Sequence, residues 1–369
     1  MRKASIETTS PLRIPVIVLI VIAVFCPQSL AASENIRVAI ADDLREVTLT
    51  SSAGLVVKGA STSTHEKTLV YDRGSIGSRP VRVRSVNGTI RVNGTSYRGA
   101  VELRKKKNGL LLVINDLDLE EYLKGVVASE VPSGWHVEAL KAQAVAARTY
   151  ALYQKRAANG RPYHILASVS SQMYGGSSGE RPSTVRAVQD TRGMVITYQR
   201  KVIPAFYHSS CGGQTEDAAE LWGIDEPFLK SVDCECQELL KNSLWEKRIS
   251  RAMVANALKQ LGYGLHEISG MDIEAITPAG RVKDVAIRSA GRISLVSGDS
   301  LRGALGTTVI PSAFFELELL GDEAVFSGRG SGHGVGMCQW GAQEMAGRGY
   351  DFRAILLHYY PGTDLVRRD

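Results

Sequence analysis

The chain lacks most of the patterns that would assign it to a specialised class of protein. Its 369 residues contain no internal repeat and no low-complexity linker, and the apolar (44%) and charged (22%) fractions are typical of a globular protein. The net charge is +6, but Lys and Arg form no stripe interleaved with aromatic residues. These absences exclude a disordered chain and argue against nucleic acid as a partner. A mildly basic balance suits a protein that works on an anionic polymer.

Long apolar runs are also scarce, and the most prominent one lies near the N-terminus, from Ile14 to Phe25. Basic residues precede it, and Ser29–Ala31 follows as a small-x-small cleavage site. The run is shorter than the roughly 20 residues that a membrane span needs. We therefore predict that residues 1–32 form an export signal, and the alternative is that the segment stays uncleaved as an anchor. Membrane contact is expected only through this uncleaved segment. The protein is expected in the periplasm or cell envelope.

Cysteine is rare, and four cysteines follow the predicted signal: Cys211, Cys234, Cys236 and Cys338. An even number in an exported chain is typical of disulfides. The spacing His208-x-x-Cys211 followed by Cys234-x-Cys236 also supplies four ligands suited to zinc. Four protein ligands leave no open position for water, so a zinc ion held there would be structural. The sequence leaves both interpretations open.

Short alternating strands with Gly and Asn turns predict a β-rich N-terminal part over residues 33–115. Helical periodicity begins at Asp118 and predicts helices from Leu119 to Val131 and from Val137 to Ala158. Strands return near Val195, and a further helix is predicted from Leu244 to Leu261. The pattern indicates a mixed α/β (α+β) fold with a second part over residues 116–369.

The predicted helix from Val137 carries two cations, Lys141 and Arg148, on one face, although it is apolar on most of its surface. A helix apolar nearly all round is buried, and buried cations are rare without a partner. We therefore expect both side chains to point into a cleft. The alternative is that both reach the surface along their apolar stems.

Glycine is abundant in one run, where Gly328, Gly330, Gly332, Gly334 and Gly336 occupy every second position. An extended segment would place all five on one side and let a ligand or another strand approach bare backbone. His333 would then lie on the opposite side. The spacing fits neither GxGxxG nor GxxxxGK, so a phosphate loop is excluded.

Glu130 is the strongest candidate for an acid because it lies among apolar residues at the end of a predicted helix. Burial there, with the negative end of the helix, would raise the pKa of its carboxyl group toward that of a general acid. A capping or solvated Glu is the alternative. An ordinary glycosidase needs a second carboxylate, and only Glu216, Asp217 and Glu220 are possible partners. One acid suffices if the substrate supplies its own nucleophile, with His333 orienting the substrate or Glu130.

Several long motifs resemble the stage II sporulation protein D family, which includes the amidase enhancers. The resemblance covers about residues 35–366 in the order of its motifs. The strongest blocks run from Asp118 to Pro132 and from Glu138 to Tyr150, and the others are Ser171–Gly175, Ala205–Gly213, Gly328–Gln343 and His358–Thr363.

The resemblance implies a peptidoglycan lytic transglycosylase whose catalytic domain spans residues 116–369. Glu130 matches the family's catalytic Glu, which protonates the bond between N-acetylmuramic acid and N-acetylglucosamine. The muramyl C6 hydroxyl then closes onto C1 and leaves a 1,6-anhydro end, so the chemistry requires no cofactor. The implied partners are glycan strands of peptidoglycan, stripped of stem peptides, and a cell-wall amidase. The positions expected to line the glycan cleft are Lys141, Arg148, Tyr207, His333, Gln339 and Gln343.

The sequence departs from the family at one position. Some members bind zinc partly through a cysteine directly before their Gln-x-Tyr motif, and here that position is Ser171. That metal site therefore does not transfer, and a zinc ion would use His208, Cys211, Cys234 and Cys236, with Cys338 in reserve. The main rival to the enzyme is a non-catalytic wall-binding enhancer of an amidase. A zinc-dependent amidase is a third hypothesis.

Overall fold

Strands make up the N-terminal part of the described chain. The computed structural model describes Met1 and residues 34–58, 66–234 and 243–368, so the predicted export signal lies outside the described residues apart from Met1. The described residues between 34 and 368 form one compact unit. The N-terminal strands are β1 (Asn35–Leu44), β2 (Glu46–Thr50), β3 (Leu55–Val57), β4 (Thr68–Asp72), β5 (Val81–Ser85), β6 (Ile90–Val92), β7 (Thr95–Tyr97), β8 (Ala100–Lys105) and β9 (Leu111–Asp118).

The middle of the chain is mainly helical and is joined to this sheet. Strand β9 runs directly into α1 (Leu119–Glu130), which α2 (Val137–Ala157) follows after a short turn. The remaining elements of this region are β10 (Ile165–Leu166), α3 (Pro182–Asp190), β11 (Met194–Tyr198), β12 (Lys201–Val202), β13 (Tyr207–His208) and α4 (Ala218–Trp222), followed by a 3₁₀ turn at Pro227–Leu229.

The first sheet has the order β10–β1–β9–β8–β5–β3, and a smaller one has the order β4–β2–β6–β7. The predicted boundary near residue 115 lies within β9, which is buried along most of its length between β1 and β8. Since β10 comes after α2 and pairs with β1, the β-rich part and the helices share one core.

Helix α1 begins and ends where its sequence specifies. The Asp118 side chain accepts hydrogen bonds from the backbone N–H groups of Glu120 (2.9 Å) and Glu121 (3.2 Å), which satisfies two of the free donors at the helix start. At the other end Pro132 forces the residue before it out of the helical region, and Val131 is extended at φ −138° and ψ 150°. Glu130 is consequently the last helical residue.

A third group of elements has its own hydrophobic core. It consists of β14 (Leu244–Ser250), α5 (Arg251–Gln260), β15 (Ile268–Ile276), β16 (Val282–Ser289), β17 (Arg292–Ser297), α6 (Gly298–Leu305), β18 (Phe315–Leu320) and β19 (Glu323–Arg329), in sheets β14–β19–β18 and β15–β16–β17. The chain then returns to the helical region through β20 (Met337–Cys338), α7 (Gln339–Gly347), α8 (Phe352–Tyr359) and β21 (Asp364–Arg367).

The helix predicted from Leu244 to Leu261 is wrong in its first half. Residues 244–250 alternate between more and less exposed positions and pair antiparallel with β19. The helix begins only at Arg251, because the Ser250 hydroxyl accepts a hydrogen bond from the backbone N–H of Met253 (3.3 Å) as its N-cap. The alternating exposure of this strand has a period of two, which differs from the period of the helix that follows it.

The glycine-rich run is not the extended segment that its spacing suggested. Beyond β19 it becomes a loop, and both Gly334 (φ 90°) and Gly336 (φ 71°) have left-handed backbone conformations. A Cβ atom at Gly334 would lie 2.5 Å from the guanidinium carbon of Arg281, and one at Gly336 would lie 2.2 Å from the carbonyl oxygen of Phe206. At these two positions the absent side chain makes room for the protein's own atoms.

An ion pair in the core joins the helices. Arg148 is 1% exposed and donates two parallel hydrogen bonds to the Glu120 carboxylate (2.8 and 2.7 Å). Its guanidinium also donates to the carbonyl oxygens of Met194 (3.2 Å) and Val188 (3.2 Å). Arg148 thus fastens α1 to α2, α3 and β11. Its partner Glu120 lies 28 residues earlier in the chain, where the local pattern around Arg148 gives no sign of it.

The predicted mixed α+β fold is confirmed, since helices and strands both contribute to the cores. None of the helices in the described part of the chain combines the length and the apolar character needed to cross a bilayer.

We expect Arg148→Ala to lower the free energy of unfolding by about 3–5 kcal/mol, because it leaves the Glu120 carboxylate buried without its partner. Lys141→Ala on the same helix removes a half-buried pair with Glu138 (2.8 Å) and should cost less than about 1 kcal/mol. Urea denaturation followed by circular dichroism measures both. An equal decrease in the free energy of unfolding for the two variants would contradict the larger contribution assigned to the ion pair between Arg148 and Glu120.

Candidate active site

The carboxyl group of Glu130 lies where three segments meet. Its Oε1 accepts hydrogen bonds from the backbone N–H of Met173 (2.7 Å) and from the hydroxyl of Tyr207 (3.2 Å). Its Oε2 accepts one from the side-chain amide of Gln339 (3.3 Å). These donors come from the loop before α3, from β13 and from the first turn of α7. The sequence predicted Glu130, Tyr207 and Gln339 as site residues, and the structure brings the three together.

Burial dominates the electrostatics of Glu130. The group is half-buried at the end of α1, and desolvation raises the pKa of its carboxyl above the ordinary value. The hydrogen bonds from Met173, Gln339 and Tyr207 act in the opposite direction because they stabilise the carboxylate, but they are the smaller effect. The site therefore shifts the carboxyl toward its protonated form and also offers three donors to the ionised form.

Tyr207 is a fixed donor. Burial, followed by the neighbouring Glu130 carboxyl, raises the pKa of Tyr207 well above its ordinary value, so the phenol keeps its proton. Its oxygen also accepts a hydrogen bond from the side-chain amide of Gln172 (3.0 Å), and that amide is held by the carbonyl oxygen of Ala147 (3.1 Å) and the hydroxyl of Tyr122 (3.1 Å). This chain of contacts leaves the Tyr207 proton directed at Glu130.

Two buried glutamines behind Glu130 were not predicted as site residues. Gln172 (0% exposed) orients Tyr207, and Gln143 (1% exposed) accepts a hydrogen bond from the Gln339 amide at 3.3 Å. Among the described residues the Gln143 Nε2 atom has no hydrogen-bond partner. Gln172 lies inside the Ser171–Gly175 motif, which was the available signal. Gln143 has a polar side chain on an otherwise apolar helix, and sequence alone assigns it no role.

The remaining predicted cleft residues lie elsewhere. Gln343 accepts a hydrogen bond from the backbone N–H of His136 (2.9 Å) and so holds α7 against the turn that follows Glu130. His333 packs against the rings of Trp222 (5.1 Å) and His208 (5.5 Å). Burial, with a smaller contribution from Arg302, lowers the pKa of His333 to about 3, so its ring is neutral.

Neither predicted cation contacts Glu130. Arg148 is buried in its ion pair with Glu120, and the Lys141 ammonium contacts Glu138 (2.8 Å) and Asp190 (3.8 Å). Each cation has an acidic partner. The prediction of a cleft position rested on the absence of such a partner, and the structure removes that reason.

An aromatic pair borders the same region. Trp135 lies in the turn between α1 and α2, and Trp340 follows Gln339 directly. Their ring centroids are 4.8 Å apart, and Trp340 is 36% exposed. Trp135 is half-buried beneath it. An exposed indole ring is suited to contact the apolar face of a sugar ring.

The predicted metal ligands are only partly brought together. His208, Cys211 and Cys338 are buried, and one ligand atom from each lies within 4.8 Å of the others. The Cys234 sulfur lies 3.2 Å from the hydroxyl of Tyr359 instead, and Cys236 lies outside the described residues. Cys338, which the sequence analysis gave only as a further possible ligand, thus lies next to His208 and Cys211.

Fold and site together define a mixed α+β protein with a half-buried carboxyl at a helix end, surrounded by hydrogen-bond donors from distant segments. The chain belongs to the stage II sporulation protein D family. Residues 107–198 match the family model described as stage II sporulation protein. Stage II sporulation protein D of Bacillus subtilis is 33% identical over 69% of this chain and 76% of its own length.

Two further relatives extend the match. An uncharacterized protein of Brachyspira hyodysenteriae is 34% identical over 74% of this chain and 73% of its own length. The amidase enhancer of Bacillus subtilis is 31% identical over 66% of this chain, but the match covers 40% of the enhancer.

We expect Glu130→Gln to raise the free energy of unfolding more at pH 7 than at pH 4. The raised pKa means that the folded chain holds a proton that the unfolded chain releases, so the wild type loses stability as pH rises from the ordinary Glu pKa through the raised one. A glutamine does not ionise and escapes this loss.

Urea titrations at the two pH values measure the difference. Glu121→Gln, on the same helix, is the matched control and should not stabilise the fold, because it removes a carboxylate that contacts Arg98 and Lys124. A Glu130→Gln gain that is the same at both pH values would contradict the assigned shift.

Proposed function

We propose that the protein is an exported peptidoglycan lytic transglycosylase in which Glu130 is the general acid and base. The observation that carries the proposal is the environment of this carboxyl group, which favours the protonated form and provides three donors for the ionised form. Among the described residues, the side chains bonded to Glu130 include no second carboxylate. This supports chemistry that needs only one.

In the proposed reaction Glu130 donates its proton to the oxygen that links the muramyl C1 to N-acetylglucosamine. The bond between C1 and this oxygen then breaks. The muramyl C6 hydroxyl attacks C1 from within the same sugar and forms the 1,6-anhydro ring. Its proton passes to the Glu130 carboxylate and restores the acid. No water is consumed and no protein nucleophile is required, so the step balances with one carboxyl group.

The three hydrogen-bond donors stabilise the ionised form of Glu130, which is the form that acts as the base. When Glu130 has lost its proton, the Met173 N–H, the Tyr207 hydroxyl and the Gln339 amide all point at the carboxylate oxygens. Hydrogen bonds to an ionised acceptor are stronger than those to a neutral one. They therefore stabilise the carboxylate that must take the C6 proton, and they need no rearrangement to do so.

The family supports the proposed cellular setting. Sporulation proteins and an amidase enhancer are the named relatives, so we place this protein in cell-wall work outside the cytoplasmic membrane. Glycan strands whose stem peptides have been removed are the proposed substrate, and a cell-wall amidase is the proposed partner. The basic net charge is compatible with an anionic wall polymer.

Mass spectrometry of glycan products tests the reaction directly. Wild-type protein incubated with peptide-free and with intact strands should generate 1,6-anhydro-muramyl ends, and more of them from the peptide-free strands. Glu130→Gln should reduce their rate of formation by about 10²–10⁴-fold because the general acid is lost. Glu121→Gln, on the same helix and in contact with Arg98 and Lys124, should keep wild-type activity.

A non-catalytic enhancer of an amidase is the second candidate, and the printed name of one relative favours it. In that case the protein would bind glycan strands without releasing anhydro ends, and the stimulation of an added amidase would survive Glu130→Gln. Product formation by wild-type protein alone would reject this candidate. Release of stem peptides by the protein alone would instead indicate an amidase.

We expect Trp340→Ala to weaken binding of isolated glycan strands by about 5-fold, since stacking on one aromatic ring contributes on the order of 1 kcal/mol. Sedimentation with insoluble strands measures the effect, with Tyr350→Ala as a matched control at an exposed ring on the turn after α7. Unchanged binding by Trp340→Ala would show that the indole pair is not part of the glycan surface.

A further inference from the structure

Three potential metal ligands from two segments of the chain lie close together in the interior. His208 is the last residue of β13, Cys211 lies in the following loop, and Cys338 is the last residue of β20. They are 4%, 0% and 0% exposed, and their ligand atoms lie within 4.8 Å of one another. Two ligands of one zinc ion are about 3.5–3.8 Å apart when the metal bonds are 2.0–2.3 Å long. A small contraction of this cluster reaches that spacing.

We propose that His208, Cys211 and Cys338 bind one zinc ion, and that this ion fastens strand β13 to strand β20. The metal would be held in the interior, between two strands that pair in parallel with His208 opposite Cys338. The sequence spacing suggested His208, Cys211, Cys234 and Cys236, with Cys338 as a further possibility. The proposed set includes Cys338 and leaves out Cys234, and Cys236 lies outside the described residues.

The two sulfur atoms are surrounded by backbone donors. The Cys338 sulfur accepts hydrogen bonds from the N–H groups of Cys211 (3.3 Å) and Gly341 (3.3 Å), and the Cys211 sulfur accepts one from Gly213 (3.3 Å). Cys338 is also the N-cap of α7, where the helix dipole favours negative charge. Both features stabilise thiolates, which are the form of cysteine that binds metal.

The histidine is oriented for the same purpose. Its Nδ1 lies 3.2 Å from the carbonyl oxygen of Val335, which can only accept, so Nδ1 carries the proton. Nε2 is then the ring nitrogen with the lone pair. A backbone carbonyl that holds the other ring nitrogen is the usual support of a metal-binding histidine.

The charges of the proposed site balance. One Zn²⁺, two thiolates and a neutral imidazole carry no net charge, which suits a buried site. Three protein ligands leave the fourth position of a tetrahedral zinc ion to a neutral water molecule or to a further ligand. Binding releases two protons to solvent, one from each thiol. The nearby Arg281 is buried with its own counter-ion, Glu216 (3.7 Å), and donates to the carbonyl oxygens of Cys211 (2.6 Å) and Gln214 (3.1 Å). Arg281 therefore holds the ligand loop without adding an uncompensated charge.

The position of the cluster connects it to Glu130. Tyr207 precedes His208, and Gln339 follows Cys338, so each strand of the pair carries a metal ligand next to a donor to Glu130. The ion would act as a positioning element that keeps both donors in place. This consequence rests on the proposed function, whereas zinc binding itself does not.

Zinc content measured by mass spectrometry of the purified protein tests the proposal without any activity assay. We expect about one zinc ion per chain after purification under reducing conditions. Cys338→Ser and His208→Ala should each lose most of it. Cys234→Ser is the matched control, because its sulfur contacts Tyr359, and it should retain the metal. A metal-free wild type, or equal loss in Cys234→Ser, would overturn the proposed ligand set.

A second measurement covers variants that fail to fold. Replacing zinc by Co²⁺ in the wild-type chain should give the ultraviolet charge-transfer band of sulfur bound to cobalt, with an intensity that corresponds to two thiolates. A disulfide between Cys211 and Cys338, detected by peptide mapping of unreduced protein, would overturn the proposal. Bound zinc in a protein that releases no anhydro ends would uphold the metal site and reject the transglycosylase, so the two failures are distinguishable.

Discussion

The ion pair between Arg148 and Glu120 is the interaction on which the geometry of the candidate site depends. It is buried, bidentate and extended by hydrogen bonds to two carbonyl groups, so it fixes α1 against α2, α3 and β11 at once. Glu130 lies at the far end of α1. Because a helix is stiff, fixing its first turn also sets where its last residue meets Tyr207 and Gln339.

The site itself balances two opposing effects on one carboxyl group. Burial raises the pKa of Glu130, while donors from three segments stabilise its ionised form. Buried glutamines hold two of these donors from behind, since Gln172 is bonded to Tyr207 and Gln143 to Gln339. A group that must give up and regain a proton in one reaction cycle needs both forms to be accessible. The proposed acid and base roles of Glu130 depend on this balance.

The elements specified by local chemistry were predicted well, and those set by distant partners were not. Asp118 and Pro132 bound α1 through capping and backbone exclusion, so Glu130 could be placed at a helix end from sequence. The strand from Leu244 was missed because its identity depends on pairing with β19, about 80 residues later. Arg148 was assigned to a cleft because its partner Glu120 lies outside its helix.

The sequence by itself determined the mixed fold, the position of Glu130 at the end of a helix and, through its motifs, the family, because these depend on periodicity, caps and residue order. The tertiary structure decided what surrounds each of these residues. Only folding brings Met173, Tyr207 and Gln339 to Glu130. Likewise, only the folded chain shows that Cys338, and not Cys234, lies beside His208. Hydrogen bonds and ligand spacings depend on distances between segments far apart in the chain, and local sequence patterns carry no information about those distances.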